Sequence, residues 1–505
     1  MKKILILSAL IIWLLPNVHQ AQNQPPEVQL TQADIEAHMR FLASDELRGR
    51  RTGEPGNNIA ARYIAAHFEA FGLKKAPGLK SYYQTFYVEK TSPPQSASLT
   101  IDGEDYEFGK DFLMLSGDAT EAEAEAVFAG HGWVDAKSGR DDYKGLDVEG
   151  KVVFVLPGTS DAQDRREAIT AGAAKRKFAA ERGAVALIEL YRIEQFPWNF
   201  FRRSYARERL QVLGAEPSTD ESKIVYGFFK EPSPNPMVAL QAGKAMKVSL
   251  KTDAARSEVL PTQNVIGIVE GTDPELKDEY VLLTAHYDHV GVGKQGGGAY
   301  SARDSIFNGA RDNAMGTVAV LAAAEALAQA PPKRSIIFLP VTGEEVGLLG
   351  SRYYADNPVI PLDQVIFNFN VDTGGYNNTK VVGIVGHGRT GTDDILDAGL
   401  KPFGLMVKAN PAPEQGLFDR SDNVAFARKG VPCLTFTPGF DEFDEEIMKY
   451  YHQVADNPDT IDYEYLHKFC QAYAHSARLL ADREEKPFWV KGDKYYEAGM
   501  NLYRE

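Results

Sequence analysis

Past Pro261 the chain falls into a regular alternation. Short runs rich in Val, Ile, Leu and Phe give way each time to a stretch of helical period. The runs are NVIGIVEG, YVLLTAH, RSIIFLPVTG, QVIFNFNVD, KVVGIVG and VPCLTFTPG. The helical stretches are GTVAVLAAAEALAQA, EVGLLGSRYYADN, DDILDAGLKPFG and YLHKFCQAYAHSARLLADR. Runs apolar throughout, rather than at every second residue, suit strands covered on both faces, and the intervening helices supply the cover. The expected architecture is α/β, with a mixed, mostly parallel central sheet flanked by helices. In open sheets of this kind ligands sit beyond the carboxyl ends of the strands. The residues just past each run are therefore where chemistry is to be sought.

Good ligands and bases collect there. His286 and Asp288 follow YVLLTA, and Asp312 lies in NGARDNAMG ahead of a helix. Glu344 and Glu345 follow SIIFLPVTG, Asp372 follows QVIFNFNV, and His452 precedes the last long helix. Singly, each has an ordinary reading: a core histidine, a helix cap or turn, or acids favoured at a helix start by its dipole. Together they face one rim. Imidazole and carboxylate suit zinc, which in catalytic sites keeps one position open, and the set contains no soft sulfur ligand. Two divalent ions can each take one histidine and one terminal carboxylate, with a shared carboxylate between them at the roughly 3.5–4 Å spacing of two-metal hydrolases. Zinc is the expected metal, with cobalt or manganese able to replace it.

The remaining chain sets the frame. A length of 505 residues exceeds what one core needs, so two or three domains are expected. A formal charge of −15 argues against nucleic acid as a partner. MKK followed by ILILSALIIWLLP and a polar boundary describes a signal peptide over residues 1–21. A membrane span would need about twenty apolar residues, so the expectation is an exported protein, periplasmic or secreted, with no stable span after cleavage. Residues 22–117 and 256–485 read as one larger domain interrupted by a smaller α/β insertion over 118–255, with 486–505 as a tail. Cys433 and Cys470 are open to either free or bridged states.

The segments HYDHVG, NGARDNAMGT, TGEEVGLLGS, NVDTGG, FDRSDNVAFARKGVP and YYHQVADNPDTID, in that order, resemble the co-catalytic di-zinc aminopeptidase family of the zinc exopeptidase superfamily. The opening segment FLASDELRGRRTGEPGNNIAARYIAAHFEAFGL is also similar to that family's, and the insertion resembles a protease-associated domain. The resemblance implies one metal on His286, Asp312 and Asp372, and a second on Asp312, Glu345 and His452, with Asp312 bridging. It makes Glu344 the general base and gives Asp288 a hydrogen bond to the ring of His286. Tyr451 and Arg420 match positions on the oxyanion and substrate side, and His289 is left as structural. Asn423 and Arg311 depart from what relatives commonly carry there.

The implied reaction hydrolyses peptides from the N-terminus, with Glu344 taking a proton from metal-activated water and passing it to the leaving amine. A carboxypeptidase or dipeptidase of the same fold and a non-catalytic receptor are the alternatives. A complete ligand set weighs against the receptor. The paired glutamates and bridging aspartate weigh against a single-zinc cyclase. The insertion precedes HYDHVG, which separates the chain from a peptidase family whose dimerisation lid follows the paired glutamates.

Overall fold

The computed structural model describes residues 30–160, 171–192, 197–214, 223–232 and 235–504. The expected signal peptide lies outside them. Among the described residues, no helix is long and apolar enough to cross a membrane.

The apolar runs become a seven-stranded sheet in the order Gly267–Val269, Ser335–Val341, Tyr280–His286, Val365–Val371, Cys433–Pro438, Val381–Val385, Met406–Ala409. The four strands from Ser335–Val341 to Cys433–Pro438 are parallel. Gly267–Val269 runs antiparallel to Ser335–Val341, and Val381–Val385 antiparallel to Cys433–Pro438 but parallel to Met406–Ala409, which makes the sheet mixed. Successive residues of a strand face opposite ways, and both faces are covered here. Val281, Leu283 and Ala285 pack into a core shared with helices Gln32–Leu42, Pro55–Ala70, Met315–Gln329 and Tyr463–Asp482. Leu282, Ile337 and Leu339 pack on the other side with residues of Leu349–Asp356 and Asn423–Lys429. Side chains cap several helix starts; Thr31 Oγ1 accepts from the Asp34 amide (3.1 Å), and Asp462 Oδ1 accepts from that of Tyr465 (3.0 Å). Register decides where the rim falls. His286 stands opposite Val341, so the histidine and the turn bearing Glu344 and Glu345 leave the sheet at one level.

The insertion has its own eight-stranded sheet, in the order Glu104–Tyr106, Ala97–Ile101, Met246–Thr252, Thr120–Phe128, Val152–Val155, Ala186–Tyr191, Val225–Lys230, Phe112–Ser116. This corrects the expected boundary at residue 118, because strands from Ala97 onward already belong to this sheet. Leu99 pairs with Leu250 and Ile101 with Val248, closing one core between segments distant in the chain. Tyr83–Ser92 and Arg256–Val265, paired antiparallel, carry the chain into and out of the insertion. The tail docks on the larger domain. The buried Trp489 donates its indole N–H to the Gly430 carbonyl (2.9 Å), and Asp493 pairs with Arg389 (2.6 Å). Cys433 and Cys470 are both buried and free.

Candidate metal centre

Strand ends place two of the donors directly. His286 is the last residue of its strand and Asp372 follows Val371 directly. Asp312 lies in the turn leading into Met315–Gln329. His452 arrives from outside the sheet and adopts φ +52°, a left-handed conformation uncommon for a residue with a side chain.

The side chains converge. His286 Nε2 is 3.3 Å from Asp372 Oδ1 and 3.4 Å from Asp312 Oδ1. His452 Nε2 is 3.2 Å from Asp312 Oδ2 and 3.1 Å from Glu345 Oε2. Asp312 thus turns one oxygen towards each imidazole. Two ligands held about 2.0–2.1 Å from one tetrahedral zinc stand about 3.3 Å apart, and these four separations match that spacing. The donors fit zinc, with Asp312 offering one oxygen on the side of each imidazole. A second set of clustered donor atoms involves a residue the sequence reading left aside: His289, with Asp312 and Glu345.

The supports come from remote segments. The buried Arg50 donates from Nε to the Tyr287 carbonyl (2.8 Å), from Nη1 to that of Asn308 (2.5 Å) and from Nη2 to that of Gly309 (2.9 Å). One guanidinium thereby ties the loop after His286 to the loop before Asp312. Asp456 accepts from the amides of Arg311 (2.9 Å) and Asp312 (3.2 Å). The Arg311 side chain pairs with Asp456 (3.1 Å) and stacks over Tyr450, 3.6 Å from the ring centre. Asn423 is buried and donates to the Phe418 carbonyl (3.1 Å). Asp288 differs from its expected role. Its carboxylate lies 3.8 Å from His286 Nδ1, while its own main-chain carbonyl is nearer, at 3.2 Å. The carboxylate instead accepts from the Thr52 hydroxyl (3.0 Å) and the Glu344 amide (3.2 Å). It holds the turn that presents the paired glutamates.

Those glutamates are driven apart electrostatically. Burial lifts Glu344 well above the usual carboxylate range; His286 opposes this, and repulsion from Asp372 and Glu345 adds to it. Burial acts the same way on Glu345, yet His452 and His289 beside it hold it well below that range. Opposite shifts on adjacent carboxyls are what separate a proton carrier from a permanent anion. Burial works against charge on His452, and Glu345 and Asp312 outweigh it, raising it to about 11. Asp312, Glu344, Glu345 and Asp372 open into a cleft lined also by Val385, Leu417, Phe440, Phe443, Tyr451 and Arg420. The Tyr451 ring stacks on His452, centroids 4.2 Å apart.

Sequence reasoning left Arg50, Asp456 and His289 without a role at the site. Nothing local in RGRRT says that its second arginine is buried.

Residues 264–477 match the model of Peptidase family M28. Aminopeptidase YwaD of Bacillus subtilis (strain 168) is 28% identical over 239 residues, covering 46% of this chain and 47% of that protein. The probable leucine aminopeptidase 2 of Aspergillus oryzae is 28% identical over 212 residues, 42% of this chain and 34% of that protein. The chain thus spans less than half the length of either relative. Among solved structures, the aminopeptidase from Aneurinibacillus sp. strain AM-1 is similar with a TM-score of 0.58 at 20% identity, covering 90% of this chain and 95% of that one. That likeness is one of fold.

Proposed function

Because residues 264–477 belong to Peptidase family M28, we propose that the whole chain is an exported zinc exopeptidase, an aminopeptidase that removes N-terminal residues from peptides at a two-zinc centre. The carrying observation is Asp312, whose two oxygens lie 3.4 Å from His286 and 3.2 Å from His452. His286, Asp312 and Asp372 would hold one ion, and Asp312, Glu345 and His452 the other. When bound, zinc polarises a carbonyl and acidifies water.

The side chains supply the rest. Glu344, as the carboxylate, takes the proton of the attacking water and returns it to the leaving amine, and the burial that raises its carboxyl makes that carboxylate the stronger base. Glu345 has both oxygens committed to imidazoles and cannot exchange places with it. The Tyr451 phenol, next to His452 in the cleft, is the donor for the oxygen that gains charge as the carbonyl is attacked. Arg420 faces the substrate. A free N-terminal ammonium finds an excess of carboxylates in the cleft floor, and Val385, Leu417, Phe440 and Phe443 suit an apolar side chain at the cleaved end. Export rests on the N-terminal segment.

The test is a panel of aminoacyl chromogenic substrates and their N-blocked counterparts, run with chelator and after restoring zinc, cobalt or manganese. Hydrolysis of free-amine substrates only, lost with chelator and regained with metal, is expected. Turnover of N-blocked substrates bearing a free C-terminal acid would instead make it a carboxypeptidase.

A further inference from the structure

His289 stood apart from the metal ligands on sequence, yet its side chain is buried deeper than that of His452, at 0% exposure against 30%. Its Nδ1 lies 2.8 Å from Glu345 Oε1 and 3.9 Å from Asp312 Oδ1. Neither ring nitrogen, nor Glu345 Oε1, has a well-aligned hydrogen bond among the described residues, so the 2.8 Å approach is a close imidazole–carboxylate pair whose N–H is not aimed along the contact. The ring is held from below by Gly309, at φ +60°, where a Cβ would come within 2.5 Å of the imidazole Cγ.

Distance separates two roles for this imidazole. Ligands of one tetrahedral zinc stand about 3.3 Å apart, the spacing found between His452 and its carboxylates. The contact from His289 to Glu345 is shorter than that spacing, a direct imidazole–carboxylate approach, while that to Asp312 is too long. His289 also meets the Glu345 oxygen that His452 does not, since His452 faces Oε2 at 3.1 Å. We propose that His289 is a positioning residue: its Nδ1 holds Oε1 of Glu345 and so turns Oε2 towards His452 and the ion they share. The proposal rests on the two-zinc reading above. Groups that orient a ligand in this way typically account for 10–100-fold in metal affinity.

The test uses the full chain with His289→Asn, His289→Gln and His289→Ala, titrated with zinc against a chromogenic chelator, alongside melting of the metal-free proteins. Asparagine places its amide N–H near the position of Nδ1, whereas glutamine reaches towards that of Nε2. The expected result is two ions in the parent protein, with one of them weakened about tenfold or more in the Ala and Gln variants and within about threefold of the parent in the Asn variant. Should His289→Ala not fold, the Asn and Gln pair decides alone. Equal impairment of Asn and Gln, or parental affinity in all three, would overturn the proposal while leaving the two-zinc reading intact. A parent protein that takes up no zinc would remove that reading, and this one with it.

Discussion

Two buried knots of charge lie in this molecule, and they are built on opposite plans. In the insertion, Lys175 and Glu189 pair at 3.0 Å with both side chains fully buried. Lys175 also donates to the Leu156 carbonyl (2.7 Å), and the Tyr226 hydroxyl donates to the second Glu189 oxygen (2.7 Å). Cation, anion and hydroxyl there satisfy one another. At the rim of the seven-stranded sheet, the carboxyls of Asp288, Asp312, Glu344, Glu345, Asp372 and Asp422 gather around three imidazoles. Several polar atoms there, including both Asp422 oxygens, lack a well-aligned hydrogen bond among the described residues. Buried polar groups are normally satisfied, and an exception calls for a missing partner. The first knot balances its charges internally; the second gathers one sign in excess, as the two-zinc reading requires. Burial of charge alone therefore does not mark a site here, whereas an unbalanced excess of one sign does.

Removing Asp312 is the sharpest way to break this contrast. Asp312→Ala deletes the one carboxylate facing both imidazoles, so zinc per chain is expected to fall with turnover, and metal analysis beside kcat would show it. A variant that kept both ions would undo the idea that the rim is organised around a shared acid. Glu344→Gln comes next. It leaves the ligand set untouched, so zinc content should match the parent while kcat drops about 10²–10⁴-fold, the usual contribution of a general base. Parallel loss of zinc would mean that Glu344 is a ligand.

How much of this could be read in advance follows from what kind of information each feature uses. The rim was legible because it needs only local pattern: strands apolar throughout, then His286, Glu345 or Asp372 just past them, and Asp312 ahead of a helix. Roles that depend on packing between distant segments were not. Arg50 reads like any surface arginine in RGRRT until its guanidinium is seen among the carbonyls of Tyr287, Asn308 and Gly309. The first strands of the insertion alternate like a partly exposed hairpin, and only their pairing with Met246–Thr252 shows which sheet they join. Asp288 was given the right neighbour and the wrong atom, because a residue pattern cannot tell a carboxylate from a main-chain carbonyl 3.2 Å from the same ring nitrogen.

The insertion offers the complementary experiment. Lys175→Met leaves Glu189 buried without its cation, and breaking such a pair costs about 3–5 kcal/mol. The denaturation midpoint should fall, while kcat/KM of the folded, zinc-loaded protein stays within about twofold, a margin worth only about 0.4 kcal/mol. Restoring apolar balance with Lys175→Met and Glu189→Leu together should recover part of the loss, since a well-packed apolar replacement of a buried ion pair is often neutral. Lost turnover at unchanged stability in the single variant would mean that this knot is no closed structural unit.

The smallest expected effect tests the rim's excess of anions directly. Asp422 is fully buried, and burial raises its carboxyl from 3.8 to about 7, against an opposing pull from His286. Because the folded-state value lies above the unfolded one, the protonated acid favours the native state at low pH. That contribution is lost as pH rises through about 7. Asp422→Asn keeps the shape and cannot ionise. In chelator, the melting temperatures of parent and variant should lie closest together near pH 5 and separate towards pH 8, with the variant the more stable. A difference that stays constant across that range would show that Asp422 is not held protonated by its surroundings. The rim would then have found a partner for that charge within the protein, and the contrast with the Lys175 knot would rest on the metal ligands alone.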